Sequence, residues 1–61
     1  MKKSDMAHDI VWAYYKEMPT YHEFRRQGYD NASAKARTEK WFVNHYTKQE
    51  IIDMYNQLFG K

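Results

Sequence analysis

The chain has 61 residues, a formal net charge of +2, 30% charged and 43% hydrophobic residues, and no cysteine. This length accommodates one domain, residues 1–61, and a chain of this size buries only about 60% of its unfolded surface. The composition excludes disulfides and thiolate metal sites, and its longest apolar run, Ile10–Tyr15, is far shorter than the roughly 20 residues of a membrane span. No secretory signal is recognisable, so we expect a cytoplasmic protein without a membrane partner.

The first predicted helix covers about residues 5–18. Ser4 is a candidate N-cap, and Asp5 places a carboxylate in the first turn, where the helix dipole favours it. Pro19 ends this helix, because a proline disfavours helical backbone at the residue before it. The apolar residues recur along one face at helical spacing, at Met6, Ala7, Ile10, Val11, Tyr14 and Met18.

The second predicted helix is short, at about residues 21–27. Thr20 and Glu23 have the three-residue spacing of a capping box, in which each side chain bonds the other residue's backbone N–H. Gly28 stands where a C′ glycine ends a helix, and Tyr29 is then placed to fold back over that end.

The third predicted helix covers about residues 31–46. Either Asp30 or Asn31 is its N-cap, since both side chains carry an oxygen that can accept a backbone N–H. Its apolar stripe consists of Ala34, Thr38, Trp41, Phe42 and His45.

The fourth predicted helix covers about residues 48–59. Thr47 and Glu50 form a second capping box, and Gly60 ends the helix. No segment alternates apolar and polar residues as a strand would. The sequence therefore predicts an all-α domain of three to four short helices, with the apolar face of the fourth formed by Ile51, Ile52, Tyr55, Leu58 and Phe59.

The histidines and glycines do not follow the patterns of a metal or catalytic site. His8, His22 and His45 fall on three different predicted helices, without the i, i+4 spacing of a helical zinc site. The only glycines are at positions 28 and 60, so there is no glycine-rich phosphate loop. A chain this short can hardly enclose a catalytic pocket. We expect no enzyme activity, no metal and no cofactor.

A second aromatic stripe runs along the first helix beside its core face. His8, Trp12 and Tyr15 recur at i, i+4 and i+7. Aromatic residues on a second face are typical of protein interfaces, which makes these residues a candidate protein interface. The alternative is that the first helix lies centrally and both of its stripes are core.

The third helix carries a stripe of donors that is a candidate nucleic-acid interface. The middle of the chain, residues 20–41, holds the whole net charge of +2. A short helix, a glycine turn and a longer basic helix resemble a helix-turn-helix DNA reader, although Phe24 stands where that motif has a small residue. The alternative is that this stripe is an ordinary solvated helix face. The candidate contacts are Arg25, Arg26, Ser33, Arg37, Lys40 and Asn44.

Two functions follow from these stripes, both without catalysis. The favoured one is a small cytoplasmic accessory or inhibitor protein that docks on a larger protein. The alternative is DNA binding through the third helix, and self-association is a third possibility. The mild basic excess ranks DNA binding second.

Overall fold

Four α-helices and one 3₁₀ turn make up most of the described part of the chain. The computed structural model describes residues 2–60, and no strand occurs in that range. This confirms the all-α fold class predicted from the sequence. The helices are α1 at Lys3–Tyr14, α2 at Pro19–Arg26, α3 at Asn31–His45 and α4 at Lys48–Phe59, and the 3₁₀ turn is at Tyr15–Glu17.

The N-termini of α3 and α4 are capped as the sequence predicts. The Asp30 side chain accepts the backbone N–H of Ser33 at 2.8 Å. Thr47 and Glu50 form the full capping box: the Thr47 hydroxyl accepts the Glu50 N–H at 3.1 Å, and the Glu50 carboxylate accepts the Thr47 N–H at 2.8 Å. These bonds satisfy N–H groups that a helix start otherwise leaves without partners.

The C-terminus of α2 is a complete Schellman motif. Gly28 has φ +103°, a conformation that costs a side-chain-bearing residue energy and glycine little. Its N–H donates to the Arg25 carbonyl at 3.0 Å, and the Tyr29 N–H donates to the Phe24 carbonyl at 3.3 Å. The Tyr29 and Phe24 rings then meet edge to face at 5.9 Å. The turn that links α2 to α3 is therefore fixed locally.

The predicted N-terminal caps of the first two helices are wrong. Ser4 lies inside α1, which begins at Lys3 and has no side-chain cap. Thr20 lies inside α2, because Pro19 occupies the first helical position. Proline suits that position, since its φ is already helical and its missing N–H would have had no partner there.

The end of α1 also differs from the prediction, since the α-helix stops at Tyr14 and not at Met18. The Met18 backbone is extended, at φ −101° and ψ 118°, as the following proline requires. The chain tightens into the 3₁₀ turn before it reaches that residue. The last helical turn that the sequence predicts for α1 is therefore not α-helical.

Helix α3 packs against both α1 and α2, whereas α4 packs mainly against α1. Helices α1 and α3 run in opposite directions, because His8 meets Glu39 while the later Tyr15 meets the earlier Lys35.

None of the helices within residues 2–60 combines the length and apolar content needed to cross a bilayer. The shared core consists of Met6, Ala7, Ile10, Val11, Phe42 and Ile51.

Helices α1 and α4 run in the same direction. The Tyr55 hydroxyl lies 3.5 Å from the Asp9 carboxylate, and one to two turns later the Tyr14 and Phe59 rings lie 6.0 Å apart. Tyr14 and Phe59 are the last residues of their helices, so both helices end at the same end of the molecule.

Candidate functional site

A buried lysine lies where α1 packs against α3. Only 7% of Lys35 is exposed. Its ammonium nitrogen lies 4.1 Å from the centre of the Trp12 ring and 4.0 Å from the centre of the Tyr15 ring. Lys35 forms no ion pair within residues 2–60. The two aromatic faces therefore attract the ammonium where no carboxylate is paired with it.

One carboxylate on α3 joins the remaining polar groups of this seam. The Trp12 indole N–H donates to Glu39 Oε2, and His8 Nδ1 lies 2.9 Å from the same oxygen. The His8 and Trp12 rings lie 5.3 Å apart. Glu39 thereby orients Trp12 against α3.

The candidate interface of His8, Trp12 and Tyr15 thus faces α3 along much of its length. Tyr15 is half-buried and meets Tyr21 edge to face at 4.9 Å. His8 is exposed, and Trp12 keeps 41% of its surface in solvent. What this stripe presents outward is the His8 side chain and the part of Trp12 that remains in solvent.

A second group of exposed apolar side chains lies at the shared end of α1 and α4. Leu58 is 40% exposed and Phe59 is 43% exposed, and the Phe59 ring lies 6.0 Å from Tyr14 and 4.8 Å from Tyr55. We call these four residues the C-terminal apolar patch. The sequence places Leu58 and Phe59 on a core face because they continue the spacing that begins at Ile51. Spacing identifies a face but not how far the neighbouring helix extends.

The donor stripe of α3 is exposed along its whole length. Ser33, Arg37, Lys40 and Asn44 all lie in solvent, and we call them the basic stripe. No other described helix covers these four residues. The side chains available to a ligand on this surface are an arginine, a lysine, a hydroxyl and an amide.

Tyr29 joins two arginines from different helices at the edge of the basic stripe. Arg25 donates from Nη1 to the Tyr29 carbonyl at 2.8 Å. The Arg37 guanidinium carbon lies 4.1 Å from the centre of the Tyr29 ring. Arg25, from α2, is thereby held next to the stripe on α3.

Arg26 differs from the other candidate contacts because it is already paired. Its Nη2 lies 2.6 Å from the Glu23 carboxylate one turn earlier in α2. The hydrogen bond and the charge of Arg26 lower the pKa of Glu23. The positive charge of Arg26 is therefore largely balanced by Glu23 within α2.

Two shallow depressions lie side by side along α3, one at its edge toward the start of α1 and one on its outer face. Their volumes are about 320 and 400 Å³, and both include Ala36 and Lys40. Ser4 of α1 and Asn44 line the first, while Ser33 and Arg37 line the second. The small Ala36 side chain allows a ligand to approach the helix closely between them.

The other two histidines bond backbone carbonyls near their own positions. His22 Nε2 lies 2.6 Å from the Lys16 carbonyl, and His45 Nδ1 lies 2.9 Å from the Trp41 carbonyl. Over residues 2–60, no group of three histidine or carboxylate side chains is arranged to hold a metal ion. What these surfaces offer chemically is hydrogen bonding, charge and apolar contact.

Comparisons with protein-family models, curated proteins and solved structures find no match for this chain.

Proposed function

We propose that the protein is a small cytoplasmic binding module without catalytic activity. In this proposal it docks on a larger protein as an accessory protein or inhibitor, through the C-terminal apolar patch. The observation that carries the proposal is the exposure of Leu58 and Phe59, at 40% and 43%, beside two further aromatic rings. Clustered exposed apolar side chains are typical of interaction sites.

The composition of the patch suits a protein partner. Aromatic side chains contribute a large contact area and lose little rotamer entropy on binding, so they are enriched at interface centres. Phe59 is supported from behind by Tyr14 and Tyr55, which holds its ring in place before binding. A partner with a concave apolar pocket would cover Leu58 and Phe59 together.

Trp12 is the third exposed large apolar residue that favours this function. Its hydrogen bond to Glu39 and its contact with Lys35 fix the orientation of the indole. A side chain oriented before binding loses less entropy when a partner covers it. Trp12 and the C-terminal apolar patch lie on different sides of α1, because Trp12 contacts α3 and the patch includes α4.

The test is capture of a partner from a nuclease-treated lysate of the source organism, followed by an affinity measurement with the purified partner. The patch variant is Leu58→Ser/Phe59→Ser, and the matched control is Asn56→Ser/Gln57→Ser, two exposed polar positions on the same turn. We expect the patch variant to lose at least about 30-fold in affinity, equivalent to one hot-spot truncation of about 2 kcal/mol.

Two results would contradict the proposal, given variants with wild-type helix content by circular dichroism. One is equal affinity of the patch and control variants for the captured protein. The other is a concentration-dependent dimer in analytical ultracentrifugation that only the patch variant abolishes. That second result would assign the patch to self-association.

A further inference from the structure

We infer that the basic stripe of α3, together with Arg25, binds the phosphate backbone of duplex DNA. This surface is separate from the C-terminal apolar patch, because it lies on the outer face of α3 while the patch lies where α1 and α4 end. The two surfaces could therefore be occupied at the same time, so the inference goes beyond docking on a protein.

The charge along α3 is divided between its two sides. Glu39 is the only carboxylate within Asn31–His45, and it faces α1, where Trp12 and His8 bind it. The four residues of the basic stripe include two cations and no carboxylate, and Glu39 borders the depression that Lys40 and Asn44 line. Asp30 lies at the N-terminal end of this surface, where it accepts the Ser33 N–H and interacts with the charge of Arg25, so the surface as a whole is net positive. A net positive surface attracts a polyanion, and duplex DNA carries one negative charge per about 1.7 Å of helix axis.

The cations of this surface are unpaired and partly oriented. Within residues 2–60, neither Arg25, Arg37 nor Lys40 forms an ion pair with a carboxylate. Tyr29 holds Arg25 through its carbonyl and Arg37 through its ring. Arginines held in place lose less side-chain entropy when a phosphate binds.

The shape of the stripe suits a groove of the duplex. Ser33 and Asn44 are eleven residues apart, which corresponds to about 16 Å along a helix. A B-DNA major groove is about 12 Å wide and admits an α-helix. Ala36 and the depressions around it leave room for the backbone of a strand between Arg37 and Lys40.

The same features favour duplex DNA over other nucleic acids. Proteins that bind single strands stack bases on exposed aromatic side chains. The basic stripe has no such aromatic residue, and the Tyr29 ring beside it is covered by Arg37. In duplex RNA the major groove is too deep and narrow for side chains to enter.

The salt dependence of binding follows from the number of phosphate contacts. Three contacts, by Arg25, Arg37 and Lys40, give a slope of about −2.7 for log K against log salt. Affinity for a short labelled duplex should then fall about 40-fold between about 25 and 100 mM salt. Fluorescence anisotropy of the labelled duplex measures this directly.

The variant Arg37→Gln/Lys40→Gln removes two of the three contacts. Its affinity should fall only about 3.5-fold over the same salt range, because one contact remains. The matched control is Lys16→Gln/Lys48→Gln, which removes the same net charge from exposed positions outside α2 and α3. The control should keep the wild-type salt slope.

Several results would overturn the inference. One is a dissociation constant above about 10⁻⁴ M for the duplex at the lowest salt. Another is an equal loss of duplex affinity in the stripe variant and in the control variant. Vesicles of anionic lipid and a polyglutamate peptide serve as further probes. Equal binding of either probe would show a general attraction of anions. The variant Leu58→Ser/Phe59→Ser should keep DNA binding, which separates this inference from the proposed docking.

Discussion

The substitution Trp12→Phe tests how much the hydrogen bond between Trp12 and Glu39 stabilises the α1–α3 seam. Phenylalanine keeps an aromatic ring next to Lys35 but lacks the indole N–H that donates to Glu39. It also removes part of the ring's contact area, so the single variant overstates the bond. Combining it with Glu39→Met in a double-mutant cycle isolates the coupling between the two side chains.

The expected coupling follows from the exposure of both partners. A hydrogen bond to a charged group contributes about 1.5–3 kcal/mol. Here 24% of the Glu39 side chain and 41% of Trp12 are exposed, so water competes for both groups. We expect a coupling free energy of about 1 kcal/mol. The free energy of unfolding expected for a chain of this length is about 3–9 kcal/mol, so this coupling is a substantial part of it.

Urea unfolding followed by circular dichroism measures this coupling. Tryptophan fluorescence is less suitable, because Trp41 contributes a second signal and Trp12 is the residue that changes. A coupling below about 0.3 kcal/mol, the usual limit of additivity, would refute the reasoning. It would mean that Trp12 is held by ring contacts alone.

Two further predictions concern helix caps. Thr47→Ala should cost about 1 kcal/mol because it breaks the capping box, whereas Thr20→Ala should stay within about 0.5 kcal/mol because Thr20 caps nothing; equal losses in thermal melts would contradict this difference. The bond from Ser33 lowers the pKa of Asp30 from its ordinary value of 3.8. Ionised Asp30 therefore stabilises the fold at pH values above 3.8, and this stabilisation is lost as the pH falls through the lowered pKa of Asp30. Melts from neutral to about pH 3 should show a smaller acid loss for Asp30→Asn than for wild type.

The features that the sequence predicts well are those set by neighbouring residues. The Thr47–Glu50 capping box and the Gly28 turn each depend on a few adjacent side chains and backbone groups, so the pattern is sufficient to find them. The predicted start of α2 is wrong because two local signals compete. Pro19 and Thr20 each mark a helix start, and the fixed φ of proline decides between them.

The contacts between helices could not be read from spacing. Helical periodicity puts Trp12 on a second face of α1, but it does not pair that face with Lys35 and Glu39 on α3. Those pairings depend on the direction and offset with which the two helices pack. The same applies to Phe59, whose exposure depends on where α1 ends.

Because α4 packs mainly against α1, while α3 packs against two helices, cooperativity is uneven across the molecule. Opening of α3 breaks interfaces with both α1 and α2, whereas local opening of α4 breaks mainly its interface with α1. Such openings lie at the low free-energy end of native fluctuations, so amide protons of α4 should exchange before those of α3. A partner bound across Tyr14 and Phe59 contacts both α1 and α4. It would therefore suppress this opening by mass action and bring the stability of α4 closer to that of the whole domain.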